Sequence, residues 1–238
     1  MLEISDLNTF RASAHILHGV TMSVGEDEVV CLVGRNGAGK TTTIESIMGL
    51  LPVKSGAIRF HDKDITHLPA HERARRGMGY SPEDAGIFPH LTVAENLMIS
   101  EWLSGQVAKD GAAAIHDIEE RTYAVFPEVR ALRGRQGLNL SGGQRKMVAI
   151  ARAMALAPSL LLLDEAFEGL APVAVSRFRD AVKLIKSMGI SILLAESNLA
   201  SAIAIADRLY AIDRGEIIFH GEPKEALSNE EVMKTLRG

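Results

Sequence analysis

A glycine-rich segment near the start of the chain has the spacing of a phosphate-binding loop, G-x-x-x-x-G-K-[ST]. The segment reads Gly34, Arg35, Asn36, Gly37, Ala38, Gly39, Lys40 and Thr41. Glycines let backbone N–H groups curl around phosphate oxygens, and the N-terminus of a following helix favours an anion. We therefore expect Lys40 to pair with the β- and γ-phosphates of ATP and Thr41 to ligate Mg²⁺, with Thr42 also contacting the nucleotide.

Two adjacent carboxylates follow an apolar run at 160–163. Ligands of open α/β sheets bind at the carboxyl ends of the strands. By itself an acidic pair there is most often a solvated loop start, but the phosphate loop in the same chain reverses that preference. Asp164 would hold Mg²⁺ through its water shell, and Glu165 would orient or deprotonate the water that attacks the γ-phosphate. The pair favours hydrolysis over binding alone.

A third motif identifies a family. It consists of Leu140, Ser141, Gly142, Gly143 and Gln144, at the start of a helical pattern. A serine there is by itself a capping signal. Together with the two other motifs, however, LSGGQ resembles the signature of ATP-binding-cassette (ABC) ATPases, and the resemblance covers essentially the whole chain. It implies two cassettes paired head to tail, each ATP being held by the Lys40 loop of one and by Ser141, Gly142, Gly143 and Gln144 of the other.

The elements that must position these motifs alternate between strands and helices. Apolar runs at 29–33, 160–163, 190–195 and 208–212 predict strands of a parallel sheet. Shorter patterns at 22–24 and 57–60 predict antiparallel, half-exposed strands. Between about 91 and 135 only helices are predicted, such as 112–125. The fold class is thus α/β: a P-loop NTPase (RecA-like) core with a parallel sheet, an N-terminal antiparallel β-subdomain and an inserted helical subdomain.

These expectations divide a single ABC ATPase domain spanning 1–238 into parts. Residues 1–88 and 155–222 would form the nucleotide-binding α/β core with its antiparallel β part. Residues 89–154 would form the helical subdomain with the signature, and 223–238 a short helical tail. The family resemblance implies that the helical subdomain contacts transmembrane permease subunits.

Composition excludes some functions. The net charge of −4 gives no reason to expect nucleic-acid binding. The charged run from His71 to Arg76 is typical of a solvated helix end. The single cysteine, Cys31, lies in an apolar strand pattern and predicts a small buried hydrophobe. Neither a leader nor a membrane span is evident, so we expect a cytoplasmic protein bound to the inner face of the membrane through the permease.

Finer detail resembles the ATPases of branched-chain amino acid importers. The segments that carry this resemblance are the run from Pro89 to Leu97, Ser81-Pro82-Glu83, and Gly169-Leu170-Ala171-Pro172. It implies ATP-driven import of branched-chain or other hydrophobic amino acids. Specificity would then lie in an external solute-binding protein and the permease, and the partner would be a second ABC ATPase, identical or not. Urea and short-amide importers share much of the pattern and remain an alternative.

Four departures from the family pattern bear on mechanism. Glu83 replaces the usual glutamine, and it can still ligate Mg²⁺ and sense the γ-phosphate. Ala171 replaces an aspartate. Ser197 stands at the switch position usually held by histidine or glutamine, so we expect slower turnover. The aromatic residue that stacks on adenine is displaced, which leaves Phe10 and Arg11 as equal candidates for the base contact.

Two other functions remain as alternatives at this point. One is a soluble ABC ATPase outside transport, although the coiled-coil insertions and second cassettes of such proteins are missing from this sequence. The other is a hydrolysis-impaired, ATP-gated interaction subunit, with Ser197 as its mark. Glu165 argues against the second, because a cassette that only binds ATP does not need a water-activating carboxylate.

Overall fold

Two β-sheets form the framework in the computed structural model, which describes residues 1–103 and 119–237. The strands are β1 (Leu2–Arg11), β2 (Ala14–Val24), β3 (Val29–Val33), β4 (Val53–Phe60), β5 (Lys63–Asp64), β6 (Met78–Ser81), β7 (Leu160–Asp164), β8 (Ser191–Glu196), β9 (Arg208–Asp213) and β10 (Glu216–Gly221). One sheet has the order β2-β1-β4-β5 and is antiparallel, and the other has the order β10-β9-β3-β8-β7-β6.

The six-stranded sheet brings the motifs to one edge. Its strands β6, β7, β8, β3 and β9 run parallel, and only β10 pairs antiparallel to its neighbour. Val33 lies opposite Glu196, and Asp164 lies opposite Ala195. The chain segments that leave β3, β7 and β8 therefore begin side by side at the carboxyl end of the sheet, where α/β proteins bind ligands.

The side chains of this sheet alternate between two cores. Val30 and Leu32 face a core shared with the antiparallel sheet, whereas Val29, Cys31 and Val33 face a core filled by helices. Burial on both faces explains the continuous apolar run, which is typical of a parallel strand. Cys31 is fully buried, as predicted for a small hydrophobe.

Helices flank both faces of the parallel sheet, and several of them lie in the described parts of the segment between β6 and β7. They are α1 (Lys40–Met48), α2 (Ala70–Arg75), α3 (Val93–Leu103), α4 (Pro127–Ala131), α5 (Gly142–Met154), α6 (Pro172–Ser187), α7 (Leu199–Ile203) and α8 (Glu230–Arg237), with 3₁₀ turns at Gly137–Asn139 and Glu225–Leu227. Within the predicted helix 112–125, residues 119–125 are helical and 112–118 lie outside the described residues. Within the described ranges, no helix is long and apolar enough to span a bilayer.

The charged run 71–76 does not behave wholly as predicted. Arg73 on α2 is only 1% exposed and donates hydrogen bonds to four backbone carbonyls. These acceptors are Leu68 O (2.8 Å), Ser46 O (2.8 Å), Ile47 O (2.7 Å) and Thr66 O (2.9 Å). Carbonyls at a helix C-terminus need such partners. The prediction of a solvated helix end was therefore wrong for Arg73, which donates to the last carbonyls of α1. Burial lowers the pKa of Arg73 to about 10.

Candidate active site

The phosphate-loop segment connects β3 to the start of α1. Gly37 and Gly39 have φ of +83° and +115°, in the left-handed region that glycine adopts readily. The first residue of α1 is Lys40, which is buried and donates to the carbonyls of Gly34 (2.8 Å) and Arg35 (3.0 Å). The lysine thus folds over the loop. Within residues 1–103 and 119–237 no side chain caps the N-terminus of α1, which leaves its first N–H groups free for a ligand of the loop.

The predicted acidic pair lies at the end of β7. Asp164 is 2% exposed, and neither of its carboxylate oxygens has a hydrogen-bond partner within 1–103 and 119–237. Burial raises the pKa of Asp164 to about 6; the charges of Glu165 and Glu83 act in the same direction, and Thr41 and Lys40 oppose them. A buried carboxylate without protein donors fits a hard divalent cation such as Mg²⁺, which prefers oxygen ligands.

Glu165 is held by a compact set of contacts. Its side-chain Oε1 accepts from Lys40 Nζ at 2.9 Å and from Ser197 Oγ at 2.6 Å. Its Oε2 accepts from the backbone N–H of Ser197 at 3.1 Å. The Ser197 hydroxyl also lies 3.2 Å from Asn36 Oδ1 in the phosphate loop. The switch-position serine therefore contacts both Glu165 and the phosphate loop, despite its short side chain.

A cleft of about 420 Å³ collects most of the predicted nucleotide contacts. It is lined by Arg11, Ile16, Asn36, Gly37, Gly39, Lys40, Thr41, Thr42, Glu83, Glu165 and Glu168. Ile16 and Glu168 were not predicted from the sequence. Ile16 belongs to β2, whose alternating pattern gave no sign that one apolar residue faces a ligand cleft. Glu168 lies three residues after Glu165. A glutamate at that place in the sequence is equally typical of a solvated loop, so nothing marked it as part of the cleft.

Phe10 and Arg11 differ in their surroundings. The ring of Phe10 stacks on His15 with centroids 4.3 Å apart and planes inclined by 2°. Arg11 Nε donates to Thr42 Oγ1 at 3.1 Å, and the guanidinium forms an ion pair with Glu45. Both residues line a second cleft of about 750 Å³, but only Arg11 also lines the cleft of the phosphate loop.

The signature residues lie apart from this cleft. Ser141 caps α5: its Oγ accepts from Gln144 N at 3.3 Å, and Gln144 Oε1 accepts from Ser141 N at 3.0 Å. This capping box stabilises the helix start. A Cβ added at Gly142 would meet no described atom within 4 Å, and one at Gly143 would meet only Leu170. The structure thus presents an open helix N-terminus that does not line the chain's own phosphate cleft.

Comparisons with known proteins agree with this geometry. The family model described as ABC transporter matches residues 17–168. The lipopolysaccharide export ATP-binding protein LptB of Escherichia coli K12 is 37% identical over 227 residues, which cover 94% of this chain and 91% of LptB. The probable branched-chain amino acid transport ATP-binding protein LivF of Archaeoglobus fulgidus is 35% identical over 240 residues, covering 100% and 99%.

Solved structures match over the whole chain. The ADP-bound cassette MJ1267 of an ABC transporter superposes with a TM-score of 0.82 at 27% identity, covering 100% of this chain and 98% of that chain. A nucleotide-free ABC transporter cassette gives a TM-score of 0.84 at 27% identity. These matches bear out the predicted α/β fold with its parallel and antiparallel sheets. The chain belongs to the ABC transporter family and is an ATPase that couples ATP hydrolysis to transport.

Proposed function

We propose that this ATPase powers the import of branched-chain or other hydrophobic amino acids through separate permease subunits. The observation that carries the proposal is the end-to-end alignment with the LivF relative, which leaves only 1% of that protein unmatched. The segments Ser81-Pro82-Glu83 and Gly169-Leu170-Ala171-Pro172 support the same branch. In this proposal solute specificity belongs to the permease and an external solute-binding protein, and the ATPase sits at the inner membrane face.

The residues in the cleft divide the chemistry between them. Lys40 and the loop amides would bind the β- and γ-phosphates, and Thr41, Asp164 and Glu83 would hold Mg²⁺. When bound, the ion neutralises phosphate charge as a Lewis acid. Glu165 would accept a proton from the attacking water. Its buried position beside Lys40 and Ser197 supports this role, because both contacts fix the direction of the carboxylate.

A second copy of the cassette would complete the site. Ser141, Gly142, Gly143 and Gln144 present an open helix N-terminus, which favours an anion. Within one chain this terminus does not line the phosphate cleft. A head-to-tail pair, with an identical or a different ATPase, would apply it to the γ-phosphate held by the partner's phosphate loop. The two cassettes would close around ATP and open after hydrolysis, and this movement would be passed to the permease.

Lipopolysaccharide export is the second candidate. It is favoured by the LptB relatives, of which the Escherichia coli protein is 37% identical. We place import first because the LivF alignment covers all of this chain, whereas the LptB alignment covers 94% of it. Both candidates share the ATPase chemistry and differ only in the membrane subunits and the transported molecule.

Deletion of the gene in its source organism separates the two candidates. We expect uptake of radiolabelled leucine to fall and to be restored by the wild-type gene but not by Glu165→Gln. Uptake of a sugar serves as the control, because a different ATPase would energise it. Unchanged leucine uptake with loss of lipopolysaccharide from the cell surface would contradict the import proposal and favour the export candidate.

A further inference from the structure

The backbone of Glu165 has an unusual conformation. Its φ is +48°, in the left-handed region that residues with a side chain rarely adopt. Such a conformation persists only where surrounding contacts hold it. The direction of the carboxylate depends on it, since the side chain leaves the backbone at this residue. Glu165 N donates to Ala195 O at 2.9 Å, and further groups contact the backbone of the segment Glu165–Phe167.

One such group comes from the signature helix. Lys146 lies on α5, five residues after Ser141, and its Nζ donates a hydrogen bond to the backbone carbonyl of Glu165. The lysine is partly buried. Burial lowers the pKa of its ammonium group, and the negative charges of Glu168, Glu165 and Glu83 oppose this effect. The helix that presents the signature thus also contacts the acidic segment of its own chain.

A second group comes from the strand before the switch position. Glu196 is 1% exposed, and its Oε1 accepts from the backbone N–H of Phe167 at 2.9 Å. The backbone carbonyl of Glu196 accepts from Gly34 N at 3.3 Å, at the first residue of the phosphate loop. Burial raises the pKa of Glu196 to about 8, so the group is mainly a neutral acceptor at neutral pH. Glutamine would reproduce such an acceptor.

We propose that Lys146 and Glu196 are positioning residues for hydrolysis. They hold the segment Glu165–Phe167 at its two ends, one through a carbonyl and the other through an N–H, and thereby fix the direction of the Glu165 carboxylate. Neither side chain lines the phosphate cleft. The proposal rests on the proposed role of Glu165, and it assigns to this pair an effect on turnover and not on nucleotide binding.

Matched substitutions test the pair. Lys146→Met and Glu196→Met remove the hydrogen-bonding group while keeping a side chain of similar size. Lys146→Arg keeps a hydrogen-bond donor, and Glu196→Gln keeps an acceptor. Lys183→Met on the exposed side of α6 is the control for loss of a lysine. The assays are steady-state ATP hydrolysis, affinity for a fluorescent ATP analogue and thermal unfolding, all on the full-length chain.

We expect both methionine variants to lower kcat about tenfold, the typical effect of losing one buried hydrogen bond. KM and analogue affinity should stay within about twofold, since other groups hold the phosphates, and the conservative variants should keep most of the turnover. In a Glu165→Gln background neither methionine substitution should lower residual turnover further, because both act through that residue.

Wild-type kcat in both methionine variants would overturn the proposal. So would a parallel loss of analogue affinity and kcat, or losses that multiply with that of Glu165→Gln. If Glu196→Met fails to unfold cooperatively, the comparison of Lys146→Met with Lys146→Arg decides the question. If Glu165→Gln itself does not reduce turnover, the proposed role of Glu165 is contradicted. That outcome is measured on the single variant and is therefore distinct from failure of the positioning proposal.

Discussion

Replacement of Ser197 by alanine tests whether the switch-position hydroxyl supports catalysis. The Ser197 hydroxyl donates to Glu165 Oε1 at 2.6 Å, a short bond to a buried carboxylate. Hydrogen bonds to charged groups contribute about 1.5–3 kcal/mol. Since about 1.4 kcal/mol corresponds to a factor of ten in rate, Ser197→Ala should lower kcat about tenfold to a hundredfold. KM for ATP should change less than about threefold, because Lys40 and the loop amides remain.

The assay is steady-state hydrolysis over a range of Mg-ATP concentrations, with Ser197→Thr as the control that keeps a hydroxyl at the same position. Thermal unfolding of each variant shows that the fold is retained. Wild-type kcat in Ser197→Ala would refute the reasoning, since the hydroxyl would then not orient Glu165. Equal losses in the alanine and threonine variants would also refute it, because packing and not the hydrogen bond would be the cause.

Three further predictions concern stability, pH and the base contact. Arg73→Ala should lower the free energy of unfolding by about 3–5 kcal/mol, because it leaves buried carbonyls of α1 without partners. Denaturant unfolding measures this loss, with Arg73→Lys as the control that keeps a positive charge. The pKa of Glu196 rises from 4.5 to about 8 on folding, so the folded state binds more protons in that window and its stability falls with rising pH. Unfolding of Glu196→Gln should lack this slope, which reaches at most about 1.4 kcal/mol per pH unit; an identical slope in both proteins would contradict the shift. Arg11→Ala should raise KM for ATP severalfold while Phe10→Ala does not, since only Arg11 lines the phosphate cleft; the reverse order would assign the base contact to Phe10.

The parts of the fold that the sequence predicts are those with a strong periodic signal. The strand Val29–Val33 is observed with the predicted bounds, because burial on both faces makes every residue apolar. Strands β1, β5, β6 and β10 were not predicted. Met78–Ser81 is only four residues long and carries Gly79, and Glu216–Gly221 lies at a sheet edge with mostly half-exposed side chains. Short and edge strands lack the alternation that identifies longer ones. Strand β1 is long and lies inside its sheet, but irregularities between Ile4 and Phe10 interrupt its alternation.

The residues of the site likewise divide into those with a recognisable sequence pattern and those without one. The phosphate loop and the acidic pair have local patterns, and the structure brings Lys40 and Glu165 into an ion pair although 125 positions separate them. The contacts of Lys146 and Glu196 depend on how α5 and β8 pack, which no local pattern specifies. Arg73 was mistaken for a surface residue for the same reason: two of its four hydrogen-bond partners lie on α1, and charge alone indicates exposure.

Steady-state ATP hydrolysis by the purified chain, measured across protein concentration with Glu165→Gln beside it, tests the central claim most directly. We predict that turnover per chain rises with concentration as cassettes pair, and that Glu165→Gln loses at least about a hundredfold in kcat while still binding Mg-ATP. Tight Mg-ATP binding without turnover at any concentration would contradict the prediction that two copies of this chain pair into a competent ATPase site. Turnover equal to wild type in Glu165→Gln would contradict the proposed role of that carboxylate.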